Sequence, residues 1–241
     1  MKKALFITSF NDPASAAISL PQFGPMAHGC DLILSDQSDD HACIQQYQNL
    51  CQMHGFRYIS NLNKGASEAK RRLVEIALRE GYEFIHQISE DFELVPMGEE
   101  NPAAPNGRAS LLRDAETILF TNPSISFVHW TWFRNEHHKG YFWNRYREAV
   151  VHFNHRPYLS LAYFTGEVSL FNWPYSGRVS DIAAIHKKAS AITPLDESHK
   201  RDNQASNGEW AQAFVSCGHG AVFYAHPVRH RDRIKPEGSL P

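Results

Sequence analysis

The sequence predicts a single α/β domain built on a mixed, mainly parallel central sheet flanked by helices. Three observations carry that expectation. Short apolar runs alternate with segments of helical periodicity across residues 1–91, and each run closes in a polar turn at its C-terminal end. The chain of 241 residues is long enough to bury a full core and shows no internal repeat, low-complexity tract or linker. Its composition, 42% hydrophobic and 21% charged, excludes a disordered chain, and a formal net charge of −2 excludes a global field drawing it to nucleic acid or anionic lipid.

Taken in order, Lys3 to Ser9 reads as a buried strand ending in the polar turn Asn11-Asp12-Pro13. Asp31 to Ser35 is a second short apolar run. From Asp40 to His54, residues Cys43, Tyr47, Leu50, Cys51 and His54 recur at helical spacing, with Asp39 or Asp40 as N-cap and Gly55 as the stop. Phe56 to Ser60 is a third strand. Between Ser67 and Glu80, Ala69, Leu73, Ile76 and Ala77 form one apolar helical face, Glu68–Arg72 and Glu75–Arg79 are spaced as i,i+4 ion pairs, and Gly81 ends the helix. Glu83 to Ile88 is a fourth strand with Ser89-Glu90-Asp91 at its end.

This alternation implies right-handed parallel crossovers in a doubly covered sheet. Ligands bind such sheets beyond the carboxyl ends of the strands, where the neighbourhoods of Asn11, Asp36, Asn63 and Asp91 fall. The whole chain, 1–241, is thus expected to form one domain, which the family resemblance given below would divide into a nucleotide-binding half, 1–91, and an acceptor-side half, 92–241. In the second half, Pro96 to Gly107 reads as a loop, Ala109 to Phe120 as a helix, Ser126 to Trp130 as a strand, Glu209 to Ser216 as a short helix and Ala221 to Ala225 as a last strand. Aromatic residues crowd between Trp130 and Tyr146. They suit either plain core or a stacking platform for a sugar or base.

The apolar run after Met1-Lys2-Lys3 is too short for a secretory signal, and no stretch approaches a bilayer span. The cysteines Cys30, Cys43, Cys51 and Cys217 show no metal-ribbon spacing and read as reduced thiols. A cytoplasmic protein is the expectation.

Asp91, with Glu90 beside it, is the leading candidate for holding a divalent cation against a diphosphate; a self-solvating acidic turn is the plainer alternative. Four segments in order set its context. Leu34-Ser35-Asp36-Gln37-Ser38-Asp39-Asp40, Asn63-Lys64-Gly65 ahead of a helix, Ile88-Ser89-Glu90-Asp91, and Asn207-Gly208-Glu209-Trp210 followed by Cys217-Gly218 and a strand together resemble the inverting glycosyltransferases of GT-A fold, of the large family-2 type. The likeness covers most of residues 1–91 and the last thirty-five or so.

The resemblance implies a Rossmann-like GT-A domain that transfers a sugar from a nucleotide-diphosphate donor, UDP-linked by preference, to an acceptor hydroxyl. It implies Asp36, Asn63, Lys64 and Gly65 as donor contacts, Mn²⁺ or Mg²⁺ at Asp91, and Glu209 as general base; their place at the strand ends adds Ser9, Asn11 and Glu90 to the donor contacts. His230 completes the metal shell by position, with His226 as runner-up. Trp130, Trp132, Glu167 and Trp210 are the acceptor-side candidates. The acceptor itself stays open among a glycan, a protein side chain and a hydroxylated base in nucleic acid. Two residues depart from the family pattern: Ser35 stands for the first acidic residue of the base-binding pair, and Ser89 for the first aspartate of the D-x-D metal motif. Ser89 also favours a second reading, a glycan- or nucleic-acid-binding module that keeps the fold without catalysis. A sugar-nucleotide pyrophosphorylase is disfavoured, because Ser9-Phe10-Asn11-Asp12 is no glycine-rich phosphate loop.

Overall fold

The computed structural model describes residues 1–61, 66–94, 107–130, 150–152, 163–167, 174–192, 219–223 and 228–230. The strands are β1 (Lys3–Ser9), β2 (Asp31–Asp36), β3 (Arg57–Ser60), β4 (Phe84–Ser89), β5 (Phe92–Leu94), β6 (Ile125–His129), β7 (Val150–His152), β8 (Tyr163–Glu167), β9 (Tyr175–Arg178), β10 (His219–Phe223) and β11 (Val228–His230). The helices are α1 (Pro13–Met26), α2 (His41–His54), α3 (Ala66–Arg79), α4 (Gly107–Thr121) and α5 (Val179–Ile192).

Nine strands form one sheet in the order β3-β2-β1-β4-β9-β6-β10-β8-β7, while β11 and β5 pair separately. The β3-β2-β1-β4 block is wholly parallel, β9 runs antiparallel between β4 and β6, and β6 and β10 are parallel to each other. The sheet is therefore mixed and mainly parallel, as the sequence predicts. Because the chain steps outward from β1 to β3 and then returns to the far side of β1 as β4, the strand order reverses between β1 and β4. That switch point is where an open α/β sheet opens a crevice for ligands.

Both faces of the sheet are covered, which is why β1 reads as a continuous apolar run rather than an alternating one. Leu5 and Ile7 pack with Leu34, Ile88 and Val128 against α1, α2 and α4. Ala4 and Phe6 pack with Ile33, Ile85, Phe127 and Tyr175 against α3 and α5. Each of the large side chains among them contributes about 1.5–3 kcal/mol by leaving water.

Local signals explain most element ends. The Asp40 carboxylate accepts from the N–H groups of Ala42 (2.7 Å) and Cys43 (3.3 Å) to start α2. Gly55 and Gly81 take left-handed φ values of 73° and 74° just past α2 and α3, as C-terminal caps demand. Part of the charge pattern on α3 differs from expectation: Glu75 pairs with Arg71, and Arg79 lies 3.9 Å from Glu80. Arg72 donates to Asn61, while the Glu68 side chain of the expected Glu68–Arg72 pair lies outside the described residues.

Helix α1 is absent from the sequence expectation, which has only a turn there. Its sequence carries Pro21, Gly24 and Pro25 inside the helix, residues that normally argue against one. Burial outweighs propensity here. Ala16, Leu20 and Phe23 sit in the core, and Asp12 caps the start through the Ser15 N–H (3.1 Å) and hydroxyl (2.7 Å). The β9–α5 unit is also new. Arg178 anchors it, with Nε 2.6 Å from Asp181 and guanidinium nitrogens donating to the carbonyls of Leu119 (2.6 Å), Pro123 (2.8 Å) and Ile125. The expected strand Ala221–Ala225 corresponds to His219–Phe223. Of the expected loop Pro96–Gly107, Gly107 opens α4 and the rest lies outside the described residues, as does the expected helix over 209–216.

Candidate functional site

At the switch point, the carboxyl end of β1 is tied to both neighbours. The Glu90 N–H donates to the Thr8 carbonyl (3.0 Å), and the Gln37 N–H donates to the Ser9 carbonyl (3.0 Å). Beyond the strand, the Phe10 N–H donates to Glu90 Oε1 (2.9 Å) and the Asn11 N–H to Ser38 Oγ (2.8 Å). Asn11 sits at φ 50°, left-handed backbone that asparagine tolerates better than most residues, and its Nδ2 donates to Asp39 Oδ1 (2.8 Å). The turn after β1 is thus fixed from both sides, leaving the ends of β1, β2 and β4 as one preorganised rim.

Asp36 is the hub of that rim. It is buried, and its Oδ1 accepts from the Ser38 N–H (2.9 Å), Ser38 Oγ (2.6 Å) and Ser9 Oγ (3.3 Å), while Oδ2 accepts from Tyr58 (2.8 Å). Its carboxylate is therefore engaged by the protein itself, and the polar groups it holds towards the crevice are Ser38 and, through Ser38, Asn11. Nearby, the Asn61 N–H donates to the Asp36 carbonyl (2.6 Å), and Arg72 donates to Asn61 Oδ1 (3.0 Å). The α3 guanidinium is thereby brought to the end of β3.

Glu90 is likewise turned inward. It is 4% exposed, and burial first, then the neighbouring Asp91 charge, push its carboxyl well above the ordinary carboxylate value against the pull of the Phe10 N–H. Ser9 is also buried. Asp91 is half-buried at the turn between β4 and β5. Antiparallel pairing of β11 with β5 sets His230 opposite Phe92, so the backbone carries His230 to within one register position of Asp91. Under the same rim, Gln87 Nε2 donates to Thr8 Oγ1 (3.4 Å), whereas its buried Oε1 has no hydrogen-bond partner among the described residues.

Ser9, Asn11, Asp36, Glu90, Asp91 and the backbone of His230 therefore converge on one end of the sheet. Two acceptor-side candidates do not. Trp130 is fully buried beside Phe23 and His86, and its Nε1–H donates to Ser176 Oγ (2.8 Å), which makes it core rather than an exposed platform. Glu167 pairs with His219 at the start of β10, the amino end of the parallel strands and the opposite end from Asp91. Asn63, Lys64, Gly65, Trp132, Glu209, Trp210 and His226 lie outside the described residues.

The residues missed in the sequence are those that hold the rim: Tyr58, Ser38 and Asn61, each joined to a residue distant in the chain. A further side-chain cluster, Cys30, His86 and Glu116, has ligand-type atoms all within 4.8 Å of one another. It lies at the other end of the sheet, since His86 pairs with Leu5, and Asp31, next to Cys30, pairs with Ala4.

What the fold and site define is a single Rossmann-like α/β domain with a polar rim at the topological switch point. No protein-family model and no curated protein matches the chain. Among solved structures, a mycobacterial protein is similar over 98% of this chain and 68% of its own, at 12% identity and a TM-score of 0.51. Glucosyl-3-phosphoglycerate synthase from Mycobacterium tuberculosis, solved with Mn²⁺, UDP and glucosyl-3-phosphoglycerate, is similar over 75% of this chain, at 14% identity and a TM-score of 0.47. The chain spans 57% of that synthase's length. A cytidylyltransferase from Leptospira borgpetersenii serovar Hardjo-bovis is similar over 83% of this chain and 72% of its own, at 10% identity and a TM-score of 0.43. At such identities the likeness is one of fold. Among the described residues no helix is long and apolar enough to cross a membrane.

Proposed function

We propose that the chain is a glycosyltransferase of GT-A type, which binds a nucleotide-diphosphate sugar, UDP-linked by preference, in the crevice between the ends of β1 and β4. The observation that carries this reading is the β5–β11 ladder. Its register sets the backbone of His230 opposite Phe92, one position from Asp91, in the turn that follows β4, at the end of the sheet where such folds take their ligands.

A carboxylate and an imidazole are a donor set that suits Mn²⁺, or Mg²⁺ with more water. Asp91 and His230 fit that role, and Glu90 does not, because its carboxyl is buried on the Phe10 N–H. A cation held there supplies charge neutralisation for the departing diphosphate. In this account Glu90 works indirectly, by fixing the Phe10–Asn11 turn. Asp36 works the same way, presenting Ser38 and Asn11 to the nucleoside, and Asn63, Lys64 and Gly65 complete the donor side from the segment ahead of α3. Gln87 Oε1 is a buried acceptor that a donor hydroxyl or a bound water would satisfy.

Glu209 is the general base. It takes the proton of the acceptor hydroxyl as that oxygen attacks the anomeric carbon; the bond to the diphosphate breaks in the same displacement, and the configuration inverts. Trp132 and Trp210 remain the candidates for acceptor contact; Trp130 and Glu167 are left out by their placement.

A thermal-shift panel of nucleotide sugars with and without Mn²⁺ tests the reading. A ligand at a hundred times its Kd stabilises the folded state by about 2.7 kcal/mol, worth about 5–10 °C in a chain of this size. One donor should stand out and should need the metal. A panel with no shift at millimolar nucleotide refutes the reading. Ser89 favours the second reading, a binding module: its Oγ is taken up by the Thr8 hydroxyl (3.2 Å) and brings no charge to the site. That reading gives a shift without Mn²⁺ and no turnover.

A further inference from the structure

The cluster at the amino end of the sheet is built from parts that the transfer reading leaves unused. Cys30 ends the turn before β2, His86 is central in β4, and Glu116 projects from α4. His86 is fully buried, while Cys30 and Glu116 are half-buried. His86 Nε2 lies 3.0 Å from Glu116 Oε1, and Nδ1 lies 2.7 Å from Ser176 Oγ. Ser176 in turn accepts from Trp130 Nε1 (2.8 Å). The ring is thus held by its Nδ1 side, leaving Nε2 directed at the carboxylate.

That is the support a metal-ligating histidine normally receives: a partner on the second ring nitrogen that fixes orientation and tautomer. A tetrahedral Zn²⁺ with sulfur at about 2.3 Å and nitrogen or oxygen at about 2.0–2.1 Å places its ligand atoms about 3.3–3.6 Å apart. The three ligand atoms here, all within 4.8 Å, need to close by roughly an ångström to reach that spacing. Cys30 is the member free to move, being carried by a turn rather than by a strand or helix.

We propose that Cys30, His86 and Glu116 form a zinc site, with water as the fourth ligand, distinct from the crevice at Asp91. One thiolate, one imidazole and one carboxylate suit a borderline-soft cation and not Mg²⁺. The site pins α4 and the turn before β2 to the sheet. In the structure as it stands, Lys3 Nζ lies 2.9 Å from both Glu116 oxygens. This ammonium, on a flexible and partly exposed side chain, occupies the charge position that the metal would take, so metal and Lys3 compete for Glu116.

Cobalt(II) reports thiolate ligation directly, through a sulfur-to-metal charge-transfer band in the near ultraviolet. Tag-free, reduced, full-length protein titrated with Co²⁺ should develop that band at one equivalent per chain, and Zn²⁺ should abolish it whereas Mg²⁺ should not. Cys30→Ser should lose the band. Lys3→Met removes the competing charge and should tighten Co²⁺ binding at least about tenfold, an effect that a purely structural hydrogen-bond chain has no reason to show. Asp91→Ala should leave the band intact, so the outcome is independent of the transferase reading. No band at millimolar Co²⁺ in protein shown folded by circular dichroism overturns the proposal. A band that survives in Cys30→Ser, or unchanged affinity in Lys3→Met, does so equally.

Discussion

Replacing Asp36 by alanine should cost the protein far more than an ordinary loop substitution, because four donors depend on one buried carboxylate. These are the Ser38 N–H and hydroxyl, the Ser9 hydroxyl and the Tyr58 hydroxyl. A hydrogen bond to a charged group contributes about 1.5–3 kcal/mol net. The four are not additive, since they share one acceptor group, and Ser38 and Tyr58 are only half-buried, so water recovers part of the loss. The expected cost is about 3–5 kcal/mol, which at about 2–4 °C per kcal/mol lowers Tm by roughly 6–20 °C. Asp36→Asn keeps the shape and one acceptor oxygen, and Tyr58 can turn to accept from the new amide, so less than half of that loss is expected. Differential scanning calorimetry on the two variants and the parent measures both. An alanine variant melting within about 2 °C of the parent refutes the hub argument, and so does an asparagine variant as damaged as the alanine one.

Three other outcomes follow from the same structure. Burial, then the charges of Lys70 and Arg71, push His186 down from 6.5 to about 4, so the folded state binds fewer protons than the unfolded one between those values. Its stability contribution is complete above pH 6.5 and is lost as pH falls towards 4, amounting to about 3 kcal/mol at roughly 1.4 kcal/mol per pH unit. Urea unfolding at several pH values should show a shallower acid slope for His186→Gln. In Gly177→Ala the new methyl meets Ile182 Cγ1 at 2.7 Å and Cδ1 at 2.8 Å inside the α5 packing. That overpacking should cost about 1–3 kcal/mol in thermal unfolding. Gln87→Leu removes the unpartnered Oε1 and should leave the free protein as stable as before or slightly more so, while weakening nucleotide-sugar affinity in calorimetric titration.

The parallel half of the sheet is legible in the chain because its signals are local. Asp40 and Gly55 bracket α2, Gly81 closes α3, and the strand-end residues Asn11, Asp36 and Asp91 mark the ligand end by their place after each apolar run. Helix α1 is not legible, since Pro21, Gly24 and Pro25 contradict a helix locally and only the burial of Leu20 and Phe23 overrides them. The β5–β11 ladder and the insertion of β9 between β4 and β6 join segments far apart in sequence, which no periodicity encodes. The site shows the same division. Asp36 stands out in the chain as a polar residue at a strand end, yet only the fold reveals that Ser9, Ser38 and Tyr58 occupy its carboxylate. Trp130 suits a platform by composition alone, because composition cannot distinguish an exposed indole from one seated on Ser176. Cys30, His86 and Glu116 share no motif spacing, and only folding brings their three separate elements together.

Manganese-dependent release of UDP from UDP-sugars, in the parent, Asp91→Ala and His230→Ala, tests the transferase reading most directly. With folding matched by circular dichroism, the parent should hydrolyse at least one UDP-sugar slowly in the absence of acceptor and should stop when the metal is chelated. Asp91→Ala should lose at least about a hundredfold of that rate, as removal of one electrostatic stabiliser typically does, and His230→Ala should raise the Mn²⁺ concentration required. Turnover that persists unchanged in Asp91→Ala, or that ignores Mn²⁺, contradicts the assignment of this crevice.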